Sequence, residues 1–268
     1  MTVLSERTQI FIYSKHDENS LQKKSVLSEM ISNYGFTAVD DAKNANIIVS
    51  LGGDGAFLQA VRKTGFRQDC LYAGISTTGT LSMYCDFHFH EMETMIKAVQ
   101  QSEIEVRRYP ILQVIVDDNP PFYCLNEFSI RSNIIKTFVL DVIIDGLPFE
   151  TFRGDGMIIA TPTGSTAYNK SVNGAVVDPL LPCFQVSELA SVNSNKYRTL
   201  GSSFILSNQR QLTLRLQDGN DFPTMGMDNE SLSIQHVDSV NIELSDRVVK
   251  TVKLKNNSFW EKVKRTYL

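Results

Sequence analysis

A strand that runs directly into a glycine-rich turn constrains this chain most. Asn46–Leu51 (NIIVSL) is an apolar strand candidate, and the tetrapeptide GGDG follows it at residues 52–55. An apolar face at helical spacing resumes from Phe57. Strand, glycine turn and helix in this order place the turn at the edge of an open α/β sheet where such folds bind ligands. The sequence therefore predicts a ligand site at residues 52–55.

The first hundred residues alternate between short β-rich runs and helical patterns. Gln9–Ser14 and Leu71–Ser76 are further strand candidates, a helical pattern over residues 26–34 closes at Gly35, and another covers residues 92–99. Central strands that are apolar on both faces indicate a parallel sheet covered on both sides by helices. We expect an α/β N-terminal domain with a parallel sheet over residues 1–102.

From Glu103 the pattern changes to runs rich in β-branched and aromatic residues, separated by turn residues such as Asp145–Gly146. These runs are IEVRRYPILQVIV, FYCLNEFSI, TFVLDVIID, LPFETFRGD, GMIIAT, SFILS, QLTLRL, SLSIQHV and NIELS. We interpret residues 103–268 as a mainly antiparallel β domain with a C-terminal helical tail over Ser258–Leu268. Cys183–Val192 is predicted to form a short helix, and the basic residues of the tail are predicted to form a solvated face.

Composition excludes several classes of protein. The chain carries 26 Lys plus Arg against 30 Asp plus Glu, a net charge of −4, which provides no field to gather nucleic acid or an anionic membrane. No apolar stretch reaches the roughly 18 residues that span a bilayer. The cysteines are far apart, which indicates single thiols in a reducing compartment rather than disulfides or a zinc site. We expect a cytoplasmic protein with no nucleic-acid or membrane partner and no metal site built from protein ligands.

Asp54 is the unusual residue of the glycine turn. Glycines let the backbone approach phosphate oxygens, and the following helix adds its positive N-terminal end. An aspartate there would repel a phosphate unless it binds a cation, accepts a hydrogen bond from a hydroxyl or removes a proton from one. The alternative is that Asp54 only caps the helix that begins at Ala56. The tetrapeptide alone leaves both interpretations open.

A second glycine-rich segment favours chemistry at Asp54. Residues 153–179 (RGDGMIIATPTGSTAYNKSVNGAVVDP) contain another Gly-Asp-Gly and then a Thr/Gly/Ser-rich loop. Together with GGDG and Leu125–Asn126–Glu127, this ordered set resembles the NAD kinase family and spans almost the whole chain. The resemblance implies transfer of the γ-phosphoryl group of ATP to the 2′-hydroxyl of the adenosine ribose of NAD, which makes NADP. It also implies Mg²⁺ bound with ATP, and a homo-oligomer that we expect to be a tetramer.

The resemblance also implies roles for individual residues. Asp54 is the expected catalytic residue, which would orient and deprotonate the acceptor hydroxyl. The phosphates are expected to bind at Gly52, Gly53 and Gly55. The residues expected to bind NAD are Asp54, Gly55, Asn126, Glu127, Arg153, Asp155, Thr166, Ala167, Tyr168, Ser171 and Ala190.

The chain departs from the family pattern in three places, one of which is the loop where Asn169, Lys170 and Asn173 replace smaller or more common family residues. Ala56 replaces the usual hydroxyl residue after GGDG, and Ser76–Tyr84 replaces the usual Asn-x-Gly-x-Leu-Gly-Phe stretch. Two other functions remain open at this point. A lipid or sphingoid-base kinase of the same superfamily also carries GGDG before a helix, and a non-catalytic regulator would keep the NAD pocket without turnover.

Overall fold

The computed structural model describes residues 7–100, 104–133, 136–217, 223–234, 236–255 and 257–268. The chain forms two compact units, one of Met1–Tyr109 with Val248–Leu268 and one of Pro110–Arg247. The predicted boundary at residues 102 and 103 lies outside the described residues. The predicted assignment of the C-terminal tail to the β-rich domain differs from the structure, in which residues 248–268 return to the first unit.

The first unit is an α/β layer structure around a parallel sheet. Its strands order as β5-β4-β3-β1-β2, and every neighbouring pair is parallel. The elements up to residue 100 are β1 (Gln9–Tyr13), α1 (Glu18–Asn33), β2 (Thr37–Ala38), β3 (Ile47–Leu51), α2 (Asp54–Lys63), β4 (Leu71–Ser76), β5 (Cys85–His88) and α3 (Met92–Gln100). The predicted strands, helices and parallel pairing of this region are confirmed.

The second unit is built from antiparallel pairs. One of its sheets has the strand order β13-β12-β11-β8-β15-β16, and another run pairs β10-β9-β14-β17. The strands from residue 104 onward are β6 (Ile104–Val116), β7 (Phe122–Cys124), β8 (Glu127–Arg131), β9 (Phe138–Ile144), β10 (Leu147–Gly154), β11 (Gly156–Ala160), β12 (Cys183–Leu189), β13 (Phe204–Ser207), β14 (Leu212–Leu216), β15 (Thr224–Met227), β16 (Glu230–Ser233) and β17 (Ser239–Leu254); a four-residue helix, α4, covers Tyr168–Ser171. The predicted α/β plus antiparallel β fold class is confirmed.

Each unit has its own apolar core. In the first unit Ile12, Leu27, Val49 and Ile75 pack together between the sheet and its helices. In the second unit the inward side chains of several strands pack together, Phe128 and Leu214 among them, both fully buried.

The predicted run SLSIQHV includes residue 235, which lies outside the described residues.

Two predictions about the second unit are wrong. Cys183–Val192 is not a helix, because residues 183–189 form β12 between β11 and β13, with antiparallel pairing on both sides. Apolar Phe184 and Val186 alternate with polar Gln185 and Ser187 as in a strand, but the alternation covers too few residues to exclude a helix from the sequence alone. The apolar residues of Phe138–Ile144 also suggest an exposed strand that needs a partner copy, but β9 pairs with both β10 and β14 and Phe138 is 1% exposed.

The C-terminal segment completes the first unit. Strand β17 ends at Leu254, and within its last residues Thr251 pairs in parallel with Tyr72 of β4. Helix α5 (Phe259–Tyr267) follows this strand. Ser258 and Glu261 form a capping box at the start of α5, in which each side chain accepts a backbone N–H. The predicted terminal helix is confirmed. Among the described residues, no helix combines the length and apolarity needed to cross a membrane.

Gly74 provides a test of the packing in the first unit. A Cβ at this position in β4 would collide with the carbonyl oxygen of Tyr84, whereas a Cβ at Gly79 would meet no atom within 4 Å. We expect Gly74→Ala to lower the free energy of unfolding by about 1–3 kcal/mol, because backbone must move to admit the methyl group. Thermal melting against the control Gly79→Ala measures the difference. Equal melting temperatures for the two variants would contradict the packing described here.

Candidate active site

Asp54 is the first residue of α2, and its side chain turns away from the helix backbone. Gly53 is the N-cap, and no side chain caps the helix. The Asp54 carboxylate instead accepts three hydrogen bonds from one segment, with Oδ1 2.6 Å from Ser82 Oγ and 2.7 Å from Tyr84 N, and Oδ2 3.1 Å from Met83 N. The alternative that Asp54 only caps the helix is therefore wrong.

The segment that holds Asp54 is itself fixed to the glycine turn. The Tyr84 ring stacks on Phe57 of α2, with centroids 4.9 Å apart and planes at 2°. The Cys85 thiol donates to the carbonyl oxygen of Gly52 at 3.3 Å. Burial raises the pKa of Cys85 to about 12, which keeps the sulfur protonated as a donor. Residues 82–85, to which the resemblance to the family assigns no role, thus form one side of the Asp54 site.

The glycine turn leaves its backbone accessible at two of the predicted phosphate-binding positions. Among the described residues, no atom lies within 4 Å of where a Cβ would stand at Gly53 or Gly55. The Gly52 N–H is already used, since it donates to Ile75 O at 3.0 Å. Ala56 is buried at 4% exposure, so the position that usually carries a hydroxyl is filled here by a packed methyl group. Phosphate binding at Gly52, Gly53 and Gly55 stays a prediction.

In the second unit, Asn126 and Glu127 are buried where β8 begins. The Asp228 carboxylate accepts hydrogen bonds from three backbone N–H groups of this segment. Its Oδ1 lies 2.7 Å from Asn126 N and 3.3 Å from Glu127 N, and its Oδ2 lies 3.1 Å from Leu125 N. Asp228 holds a left-handed conformation with φ +53°. Its own N–H donates to the Glu127 carbonyl. The alternative that Asn126 and Glu127 form the solvent face of a strand is wrong, because they are only 9% and 7% exposed.

The Thr/Gly/Ser-rich loop folds directly onto Asn126. Thr161 N donates to Asn126 O at 2.8 Å, and the Thr161 hydroxyl accepts from Gly164 N at 2.9 Å. A Cβ at Gly164 would collide with the Asn126 carbonyl, so this close approach requires glycine. The contact brings the loop and the Asn-Glu pair, which are far apart in the sequence, into one site.

Glu127 has the most perturbed electrostatics of this site. Burial, and after it the nearby Asp228 carboxylate, raise its pKa to about 8, while the backbone N–H of Tyr168 opposes the shift. Its Oε2 is buried and has no hydrogen-bond partner within the described residues. A buried oxygen without a partner costs about 1–3 kcal/mol, so it marks a position where a ligand atom would be stabilising.

The loop residues predicted to bind NAD differ in their accessibility. Tyr168 is half-buried, and its hydroxyl accepts from Arg131 Nη1 at 3.3 Å. Thr166 is buried and its hydroxyl donates to Thr163 O, whereas Ala167 is half-buried and Ser171 is exposed. Of these side chains, that of Thr166 already makes a hydrogen bond within the loop.

The second Gly-Asp-Gly lies at the rim of a polar cavity. Asp155 is exposed, and its backbone N–H donates to Leu189 O at 2.8 Å. Ala190 is exposed in a left-handed conformation, with φ +45°, at the end of β12 rather than on the predicted helix. The Arg153 guanidinium lies 4.4 Å from the Tyr197 ring centroid. The cavity measures about 660 Å³ and is lined by Arg131, Ser132, Lys136, Thr137, Gly154, Asp155 and Val192.

Comparison with known proteins decides the family. A family profile described as the ATP-NAD kinase C-terminal domain matches residues 125–254. NAD kinase 2 of Bacillus subtilis (strain 168) is 61% identical over 264 residues, which cover 98% of this chain and 99% of that protein. NAD kinase 2 of Geobacillus kaustophilus (strain HTA426) is 59% identical over 264 residues, with the same coverage.

The chain belongs to the NAD kinase family. Two solved structures share its fold. Yeast NADH kinase complexed with NADH superposes with a TM-score of 0.81 at 19% identity, over 97% of this chain and 87% of that chain. An NAD kinase from Archaeoglobus fulgidus in complex with ATP superposes with a TM-score of 0.73 at 24% identity, over 96% and 99%.

Membership in the NAD kinase family excludes one of the two alternative functions that the sequence left open. The lipid or sphingoid-base kinase is set aside, because the relatives named here match over nearly their full length and are NAD kinases. Sequence reasoning missed Asp228, Arg131 and Lys136, which are separated from every recognised motif. Asp228 lies in a Met-Asp-Asn turn whose sequence differs in no way from an ordinary turn.

The raised pKa of Glu127 predicts how stability depends on pH. The folded chain holds a proton on this carboxyl up to about pH 8, whereas the unfolded chain loses it near the ordinary value of 4.5. Stability contributed by the protonated form is therefore present below pH 4.5 and is lost as pH rises through about 8. We expect Glu127→Gln to be about as stable as wild type at pH 4 and more stable at pH 9.

Urea unfolding of both proteins at the two pH values measures this difference. Glu29→Gln is the control, because Glu29 is exposed on α1. A Glu127→Gln variant whose stability relative to wild type is the same at both pH values would show that folding does not raise the pKa of this carboxyl.

Proposed function

We propose that this chain phosphorylates NAD at the 2′-hydroxyl of its adenosine ribose, with ATP as donor, to give NADP. The relatives that match over almost the whole chain are NAD kinases, and the archaeal structure of the same fold was solved with ATP. The observation that carries the proposal is the Asp54 carboxylate, which three donors of residues 82–84 hold beside the glycine turn instead of leaving it as a helix cap.

Asp54 is proposed as the general base. Its Oδ1 accepts two hydrogen bonds and its Oδ2 accepts one, so Oδ2 keeps a lone pair for the acceptor hydroxyl. As the 2′-oxygen forms its bond to the γ-phosphorus, the hydroxyl proton passes to Asp54 and the bond from the γ-phosphorus to the bridging oxygen breaks. The products are NADP, ADP and the proton. Such transfers depend mainly on alignment and charge neutralisation.

Mg²⁺ is proposed to enter with ATP. Among the described residues, no group of three or more His, Cys, Asp or Glu side chains is placed to hold a metal ion. An ion carried chiefly by the triphosphate would neutralise the charge that develops on the phosphate oxygens during transfer.

The adenosine part of NAD is proposed to bind at Asn126, Glu127 and Tyr168. The unpartnered Oε2 of Glu127 supplies the hydrogen-bonding group that a ribose or base would use. Because its pKa is raised to about 8, the carboxyl is mainly protonated at neutral pH and offers one donor and one acceptor. Arg153 and Asp155 are proposed to contact the rest of the dinucleotide at the cavity of the second Gly-Asp-Gly.

A homotetramer is proposed for the assembly. On the second unit, Phe149 is 42% exposed and its ring lies 5.5 Å from that of Phe204. Leu200 is 47% exposed, and its N–H donates to Glu150 beside Phe149. We call Phe149, Leu200 and Phe204 the apolar patch; apolar surface of this kind favours burial against another copy.

The assembly is tested by light scattering at micromolar protein. We expect the mass of four chains, and we expect Phe149→Ser to lower it because the patch loses its largest exposed ring. Lys264→Ser, at an exposed position outside the patch, is the control. A wild-type mass of one chain would contradict the proposal.

The role of Asp54 is tested by Asp54→Asn. The amide keeps one oxygen acceptor but presents an N–H₂ to the Met83 N–H, so we expect a loss of stability of about 1 kcal/mol. The rate of NADP formation should fall by about 10²- to 10⁴-fold, because positioned proton transfer is lost. NADP is measured with an NADP-specific dehydrogenase after incubation with NAD, ATP and Mg²⁺, and NAD affinity by calorimetry.

The same assay distinguishes the remaining alternative. A non-catalytic regulator would bind NAD in calorimetry and give no NADP even as wild type. Near-normal turnover by Asp54→Asn in a folded enzyme would instead remove Asp54 from the chemistry while leaving the kinase activity in place.

A further inference from the structure

Helix α5 carries a lysine that is almost completely buried. Lys262 is 1% exposed, which corrects the expectation that the basic residues of the tail form a solvated face. Its Nζ lies 2.8 Å from the carboxylate of Asp86, which is 3% exposed, and 2.9 Å from Met83 O. Burial lowers the pKa of Lys262 to about 8, and Asp86 opposes that shift. Because a buried ion pair contributes little net stability, stability alone does not explain why Lys262 and Asp86 are paired here.

Arg265 lies one turn further along the same helix and binds the same loop. Its Nη2 donates to Ser82 O at 2.8 Å and to Cys85 O at 3.3 Å. The Asn257 amide, just before α5, donates to Asp86. Since residues three apart share a helix face, Lys262 and Arg265 present two cations to residues 82–85.

The carbonyls bound by α5 belong to the peptide groups whose N–H groups bind Asp54. In the peptide that joins Ser82 to Met83, the oxygen accepts from Arg265 and the N–H donates to Asp54. In the next peptide, the Met83 oxygen accepts from Lys262 and the Tyr84 N–H donates to Asp54. Two consecutive peptide groups therefore connect a cation at one end to the same carboxylate at the other.

This arrangement strengthens the hold on the carboxylate. A cation at a carbonyl oxygen polarises the peptide, which makes its N–H a better donor, and hydrogen bonds in such a chain reinforce one another. Two planar peptides that are held at both ends also cannot rotate, so the carboxylate keeps one orientation. A general base must be oriented to this degree to act on a hydroxyl.

We propose that Lys262 and Arg265 are positioning residues for the reaction, which orient Asp54 through the peptide groups of Ser82–Tyr84. This inference rests on the proposed role of Asp54 as general base. It gives α5 a function that the resemblance to the family does not assign to any of its residues.

Arg265→Met is the main test, because Arg265 is exposed and its replacement is not expected to prevent folding. We expect kcat to fall about tenfold, while KM for NAD and for ATP changes less than about twofold, because small misplacement of a catalytic group affects the chemical step. Lys264→Met, the exposed lysine next to it on α5, is the matched control and should keep the wild-type kcat. A second variant, Lys262→Met with Asp86→Asn, removes both buried charges together and should lower kcat further.

Hydrogen exchange adds a readout that does not depend on turnover. The Met83 and Tyr84 amides should exchange at least about tenfold faster in Arg265→Met than in the Lys264→Met control, since weaker donors and a looser loop open more often. Unchanged exchange at both amides together with unchanged kcat would overturn the inference.

A double-mutant cycle separates positioning from a general structural effect. In the Asp54→Asn background, Arg265→Met should change the residual rate by less than about twofold, because the group it positions is already gone. An equal tenfold loss in both backgrounds would overturn the inference and leave the role of Asp54 intact. Wild-type turnover by Asp54→Asn alone would instead contradict the proposed general base, and with it this inference.

Discussion

In each of the two units, the candidate site residues depend on an aspartate that accepts backbone N–H groups from a short segment. Asp54 does this for Met83 and Tyr84 in the first unit, and Asp228 does it for Leu125, Asn126 and Glu127 in the second. Backbone donors beside a loop have no ladder partner, so leaving them unpaired in a buried place would be costly. The carboxylates satisfy those donors, and in doing so they determine where the chemically important side chains point.

The sequence allowed the α/β unit to be predicted well because its signals are local. Strands β1, β3 and β4 are short apolar runs and the helices have an amphipathic repeat, whereas β2 and β5 lack such a run and were not predicted. β12 was mistaken for a helix because its alternation of Phe184 and Val186 with Gln185 and Ser187 covers only a few residues. The strand Thr224–Met227 was missed because Gly226 and two methionines have weak strand preference; it is stabilised by pairing with β8 and β16 and by burial of Met225 and Met227.

The candidate site was predictable to the extent that its residues lie in recognisable motifs. Asp54 was singled out because an acid in a phosphate loop is chemically unusual, and Glu127 because of its neighbour and the motifs around it. The raised pKa of Glu127 was not predictable, since it arises from burial and from Asp228, about a hundred residues away in sequence. Lys262 was misread for the same reason: a lysine in an amphipathic helix is usually exposed, and only the tertiary position of Asp86 shows otherwise.

The division of the chain has a consequence for its folding during synthesis. The second unit is one continuous stretch, Pro110–Arg247, whereas the first needs Val248–Leu268 for the strand beside β4 and for helix α5. As a ribosome makes the protein from its N-terminus, the second unit can be complete while the first still waits for these residues. The residues around Asp54 then acquire their final contacts only when α5 emerges, so an interrupted nascent chain would carry the glycine turn without the support that orients its aspartate.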